Sequence, residues 1–204
     1  ALHVIFHRGR CMDFASAHGK MLAVGVPADE ARGLLRGLED QVSIAAINSP
    51  ASVTLSGEGR ALEQIAQALI PEGIFHKFLK VNYAFHSPMM EPTRAPLLEA
   101  LDGIAPRPAT LPMYSTVTAM PVKGPELDGL YWWRNVRESV RFASTIEAPN
   151  ADSRNPSVRC RLRRIASTGP TSSSITTGIA SWNVNAAMMP GMMSRMNPTI
   201  TASM

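Results

Sequence analysis

From Met21 to Val81 apolar positions recur at two alternating periods. Met21 to Val26 is a short apolar run that predicts a strand. Pro27 suits the first turn of a helix, and Ala28 to Leu38 then places Ala31, Leu34, Leu35 and Leu38 on one face. Val42 to Ile47 predicts a strand, Asn48-Ser49-Pro50 a turn, and Ser52 to Ser56 a second strand by its alternation. Gly59 to Leu69 is helical, with Leu62, Ile65, Ala66 and Leu69 on one side, and Phe75 to Val81 closes the series as a strand. The order is β-α-β-β-α-β, the split βαβ or ferredoxin-like unit, in which two helices cover one face of a four-stranded sheet.

The flanks follow other patterns. Ala1 to Phe6 reads as the inside of a helix already under way. Pro92 to Leu101 predicts a helix with Leu97, Leu98 and Leu101 on one face, and Pro106, Pro108 and Pro112 mark an extended connection. Met113 to Thr118 is rich in strand formers and predicts a core strand. Leu127 to Val136 predicts an amphipathic helix, with Trp132 and Trp133 supplying large apolar area. From about Asn150 the periodicity stops. Ser, Thr, Asn, Arg and Met dominate, and six of the chain's 12 methionines lie between Met188 and Met204. Such a tail reads as a reading-frame or splice artefact or a cloning scar, with a genuine disordered extension as the alternative.

Composition changes this picture little. The chain has 204 residues and 45% hydrophobic content, enough for a sizeable core. Its formal charge of +4 is a property of the tail: residues 151–204 carry six arginines against one acid, Asp152, leaving −1 for the first 150. The folded part therefore gives no electrostatic case for nucleic acid. Two cysteines, Cys11 and Cys160, make neither a disulfide framework nor a metal site and fit a reducing cytoplasm. No apolar run reaches the length of a membrane span, and the first residues lack the form of a signal peptide.

One residue stands out chemically. His86 ends the apolar stretch Val81-Asn82-Tyr83-Ala84-Phe85 and is followed by Ser87-Pro88. A histidine at a strand end suits a general base, because the scaffold fixes its ring while its edge faces a cleft. On chemistry alone a satisfied structural histidine is the commoner outcome.

Five motifs give that histidine a context. They are His7-Arg8-Gly9-Arg10-Cys11-Met12 with Gly19 to Val24; Ala46-Ile47-Asn48-Ser49-Pro50 with Val53 to Gly57; Tyr83-Ala84-Phe85-His86-Ser87; Tyr114 to Thr118; and Trp132 to Phe142. In this order, across about residues 1 to 146, they resemble the acyltransferase domains of type I polyketide synthases, relatives of the malonyl-CoA:acyl-carrier-protein transacylases of fatty acid synthesis. The resemblance implies an α/β fold, with an α+β subdomain: a ferredoxin-like βαββαβ unit beside an α/β hydrolase-like core, the active site lying between. On that pattern residues 1–20 are a core helix following the nucleophile elbow, 21–81 the ferredoxin-like subdomain, 82–149 the C-terminal part of the core, and 150–204 the atypical tail.

The resemblance also implies roles. His86 would be the general base of a serine–histidine ping-pong mechanism, and the backbone carbonyl that fixes its tautomer is expected at Asn135. Arg8 would hold the free carboxylate of a malonyl group by paired charge-assisted hydrogen bonds, while Arg10 is expected on the surface. Phe85 favours malonyl over methylmalonyl because its ring fills the space an α-methyl needs. Tyr83 departs from the malonyl pattern, so the signature is a hybrid, and Asn48 is a further pocket candidate or simply a turn residue. No metal ligands and no cofactor are expected. The implied partners are an acyl-CoA extender unit, an acyl carrier protein bearing phosphopantetheine and neighbouring synthase domains, with no nucleic acid or membrane, in the cytoplasm. The Gly-His-Ser-x-Gly elbow of the family occurs nowhere in the sequence. The expectation is therefore an internal fragment, inactive by itself. A non-catalytic binding or docking module on a truncated acyltransferase scaffold is the alternative. An RNA-binding ferredoxin-like domain is disfavoured, since Val42 to Ser56 offers neither paired aromatics nor a basic face.

Overall fold

The computed structural model describes residues 1–14 and 19–151. The atypical tail thus falls, but for its first two residues, outside the described residues.

Strand β1 (Gly19–Val24) occupies the middle of a four-stranded sheet, antiparallel to β3 (Ser52–Glu58) on one side and to β4 (His76–Phe78) on the other. Strand β2 (Val42–Ser49) pairs antiparallel with the outer edge of β3, giving the order β2-β3-β1-β4. Hence β1 and β2 run parallel with β3 between them, and β3 and β4 run parallel with β1 between them. Two interleaved split βαβ units result, in the element order the periodicity predicts.

The connecting helices are α2 (Ala28–Leu34) and α3 (Gly59–Leu69). In α3 the residues Ala61, Leu62, Ile65, Ala66 and Leu69 are buried while Arg60, Glu63, Gln64 and Gln67 face water. That stripe packs with Ala31 and Leu35 onto Leu22, Val24, Val53 and Leu55 of the sheet. At roughly 2 kcal/mol for each fully buried large aliphatic side chain, this face is the main stabiliser of the unit.

The remaining elements surround the segment that carries His86. Helix α1 (Leu2–Phe14) lies against α4 (Arg94–Ala100) and against a 3-10 helix over Pro88–Thr93. Strands β5 (Met113–Ser115) and β6 (Met120–Val122) form a separate hairpin, followed by α5 (Gly129–Arg137) and α6 (Phe142–Ala151). Residues 138–141 strap these parts together. Val140 makes a parallel bridge with Ala46: its N–H donates to the Ala45 carbonyl (2.8 Å) and its carbonyl accepts from Ile47 N–H (2.9 Å). Arg141 N–H donates to the Thr116 carbonyl (2.8 Å).

Three elements differ from expectation. The closing strand is shorter than Phe75 to Val81, since only Leu79 N–H continues toward β1, donating to Met21 (2.9 Å), before the chain turns away. The Met113 to Thr118 stretch is a hairpin arm and not a core strand. Ser115 Oγ accepts from the N–H groups of Val117 (3.1 Å) and Thr118 (3.4 Å), closing a turn where a ladder would have continued. The helix after Pro92 starts earlier, as a 3-10 turn at Pro88 capped by Ser87, because Pro92 and Pro96 cannot donate to a longer α-helical ladder.

Candidate active site

His86 sits where the chain from β4 turns into the 3-10 helix, and its backbone is left-handed, φ 63°. A non-glycine residue pays for that conformation, so the surroundings must hold it. The end of α5 does so twice: His86 N–H donates to the Val136 carbonyl (3.0 Å), and ring Nδ1 meets the Glu138 carbonyl (2.7 Å). A carbonyl can only accept, so Nδ1 carries the proton and Nε2 keeps its lone pair. Behind the ring, Ser87 is fully buried. Its Oγ donates to the Ala84 carbonyl (2.7 Å) and accepts from Met89 N–H (3.3 Å). Ser87 is thus a cap and turn residue, as a serine before proline should be.

The carbonyl acceptor corrects the expectation at Asn135. Asn135 lies inside the last turn of α5, where carbonyls point along the helix axis. Glu138 is the C-cap, with extended torsions (φ −84°, ψ 156°) that swing its carbonyl out of that line and toward the ring. Nothing in the residue type announced this, since any amino acid supplies a carbonyl. Register against the helix end was the only signal. Arg134 was also missed: its guanidinium grips the Glu138 carboxylate through Nε (2.6 Å) and a terminal nitrogen (3.2 Å). Arg137 reaches Glu91 of the 3-10 helix at 3.4 Å, tying the same helix end to the residues that follow His86.

Burial pushes the His86 imidazole down to about 4; the Glu138 carbonyl pulls it back up, and the positive charge of Arg8 pushes it further down. Arg8 therefore lies within electrostatic reach of the ring, from the middle of α1. Its own basicity is lowered by burial and raised by Tyr131, and its Nε is buried with no hydrogen-bond partner. Arg8 as a whole is half-buried, with that one donor shielded from water.

Phe85, buried, stacks on half-buried Tyr83 with ring centroids 5.1 Å apart, and its centroid lies 6.5 Å from that of His86. The structure thus brings together Tyr83, Phe85 and His86, with Arg8 within electrostatic reach of the ring. Asn48 is occupied elsewhere: its Nδ2 donates to Thr54 Oγ1 (3.0 Å) across the β2–β3 hairpin. Arg10 is exposed, with its guanidinium 5.8 Å from the Phe6 ring. Cys11 is buried and its thiol is pushed up by burial, so it packs as a small apolar residue and is no nucleophile. Among the described residues no group of three or more His, Cys, Asp or Glu could hold a metal, and no helix is long and apolar enough to cross a membrane.

Comparison with known proteins identifies the family. The family described as "Acyl transferase domain" matches residues 1–158. Erythronolide synthase EryA2 of Saccharopolyspora erythraea is 42% identical over 146 residues, covering 72% of this chain and 4% of that synthase. Mycoketide-CoA synthase of Mycobacterium tuberculosis is 38% identical over 146 residues, again 72% of this chain and 4% of the relative. The chain therefore spans only a small part of the curated relatives it matches. Among solved structures, the acyltransferase domain from module 8 of the salinomycin polyketide synthase superposes with a TM-score of 0.70 at 35% identity, over 72% of this chain and 35% of that one. The loading acyltransferase of the avermectin synthase gives 0.71 at 25% identity, over 80% and 55%. The chain belongs to the acyl transferase domain family, on its polyketide synthase branch.

Proposed function

We propose that this chain supplies the proton-transfer and carboxylate-binding side of a site that moves a malonyl group from CoA to the thiol of an acyl carrier protein, beside the other domains of a polyketide synthase. One observation carries the proposal: a histidine whose Nδ1 is held by the Glu138 carbonyl at 2.7 Å, with the half-buried Arg8 within electrostatic reach of its ring. With Nδ1–H committed, Nε2 is the atom that takes a proton. It would accept the proton of a serine hydroxyl as the serine oxygen bonds to the thioester carbonyl. As the C–S bond breaks, that proton passes to the departing CoA thiolate. In the second half Nε2 takes the carrier thiol's proton while the sulfur attacks the acyl-serine, and the departing serine oxygen recovers it.

Arg8 would bind the malonyl carboxylate through its guanidinium, whose Nε has no other hydrogen-bond partner. The bound anion would offset the positive charge that now depresses His86, strengthening the base only when substrate is present. Phe85, braced by Tyr83, would crowd the acyl α-carbon and favour malonyl over methylmalonyl by about 1–3 kcal/mol, the worth of one methyl. The reaction as proposed uses no metal or redox cofactor, and the phosphopantetheine arm belongs to the partner. The 204 residues hold no serine in a Gly-His-Ser-x-Gly context. This chain alone is therefore expected to bind the acyl thioester without forming an acyl-enzyme.

Calorimetry with malonyl-CoA and acetyl-CoA tests this, alongside labelling with radioactive malonyl-CoA. Malonyl-CoA should bind, Arg8→Ala should weaken it about tenfold or more while leaving acetyl-CoA unaffected, and no label should become covalent. Equal affinities for the two thioesters, indifferent to Arg8→Ala, would overturn the carboxylate role. The missing serine motif also favours a second reading, a docking module. Binding of a carrier protein without any binding of CoA thioesters would support that reading instead.

A further inference from the structure

We propose that Arg134 is a positioning residue for His86, acting through Glu138; the inference rests on reading His86 as the base. Holding an imidazole in one tautomer requires an acceptor that stays aligned with Nδ1. Here the acceptor is a peptide carbonyl just past a helix end, where the intrahelical ladder no longer constrains it. Helical torsions at Glu138 would line its carbonyl up with those of the last turn and take it off the ring. The extended torsions observed must therefore be held from outside the ladder.

Two holds flank this peptide. On the far side Val140 is fixed by its two hydrogen bonds to β2. On the near side the hold is Arg134, and it is double. Its carbonyl accepts Glu138 N–H (2.7 Å), and its guanidinium forks onto the Glu138 carboxylate at 2.6 and 3.2 Å. The residue between the holds contributes nothing: the Ser139 hydroxyl is buried without a partner. Ordinary exposed ion pairs at i, i+4 do little. This one differs in being bidentate and in closing a ring around the residue whose carbonyl meets the histidine ring at Nδ1. A point charge could not reproduce that planar fork.

The test reads the His86 ring in the full 204-residue chain, where no acyl transfer is needed. Long-range proton–nitrogen correlation spectra near neutral pH report the tautomer directly. The parent should be predominantly Nδ1–H. Arg134→Ala should raise the Nε2–H population several-fold, with the remaining amide spectrum retained. Arg134→Lys and Glu138→Gln should give smaller rises, and they keep the experiment decisive if the alanine variant does not fold. If the two residues act as one unit, the Arg134→Ala/Glu138→Ala double variant should match Arg134→Ala alone. A tautomer ratio unmoved in these variants, whatever happens to thermal stability, would overturn the positioning role and leave a plain surface ion pair. A parent already in the Nε2–H form would fail separately, removing the reading of His86 itself and not merely the role of Arg134.

Discussion

At the residue scale the pressing question is how His86, proposed as a base, can serve at neutral pH when its pKa is lowered to about 4. Burial lowers it first, and Arg8 adds to that. The second contribution is removable, because a carboxylate seated on the guanidinium cancels its charge as seen from the ring. Malonate, as a minimal probe, should raise the pKa of His86 in a nuclear magnetic resonance titration, and Arg8→Gln should abolish the malonate response. A ring pKa unchanged by saturating malonate would disprove the coupling. The same depressed value bears on stability. The folded pKa, about 4, lies below the unfolded 6.5, so between those values the unfolded chain binds more protons. The contribution is whole above about pH 6.5 and is lost as pH falls toward 4. Urea midpoints at pH 7 and pH 5 should therefore differ less in His86→Gln than in the parent.

At the scale of elements, legibility tracked how a segment gets its structure. Helix α3 and strands β1 to β3 were readable because burial dictates their pattern: an apolar stripe at helical spacing in α3, and apolar runs where the sheet meets its covering helices. Leu62→Ala removes a fully buried side chain from that stripe and should cost about 2–5 kcal/mol in chemical denaturation. Gln64→Ala, on the opposite face, should stay within about 0.5 kcal/mol. The β5–β6 hairpin was not readable, since one hydroxyl, Ser115 Oγ, diverts two backbone N–H groups from a ladder, and composition alone still favours a strand there. Its tip holds Ala119 at φ 58°, a conformation that costs a side-chain-bearing residue about 1–2 kcal/mol. Ala119→Gly should thus raise the melting temperature, the relief exceeding the added chain entropy of glycine by a few tenths to about 1 kcal/mol. The site divides in the same way. Side chains proposed to act by their own type (His86, Arg8, Phe85) were visible in the sequence, whereas the Glu138 carbonyl was not, because backbone groups leave no trace in residue identity.

At the scale of the described fold, the sheet unit and the histidine segment are separate in sequence yet meet at close range. Besides the Val140 strap, they touch at Gly19, the first residue of β1. A Cβ built there would stand 2.5 Å from Ala84 N and 2.7 Å from Ala84 Cβ, inside any tolerable contact. The glycine is thus required by approach and not by torsion, and what approaches is the residue two before His86. Ala84 is itself buried and its carbonyl accepts the Ser87 hydroxyl, so the segment cannot yield at that point without disturbing the turn that presents the histidine. Gly19→Ala should therefore do two things at once. It should destabilise the fold by about 1–3 kcal/mol, the usual cost of overpacking, seen as a lower urea midpoint with an unchanged slope. It should also shift the His86 ring resonances, because the strain is delivered to the turn and not dispersed through the sheet. Gly33→Ala, at an exposed position of α2 where an added methyl meets nothing, is the matched control: it should raise the urea midpoint, by up to about 1 kcal/mol in stability, through helix propensity and leave the His86 resonances in place. If Gly19→Ala lowers stability yet leaves the His86 resonances untouched, the sheet unit is a neighbour of the site and not part of what positions it.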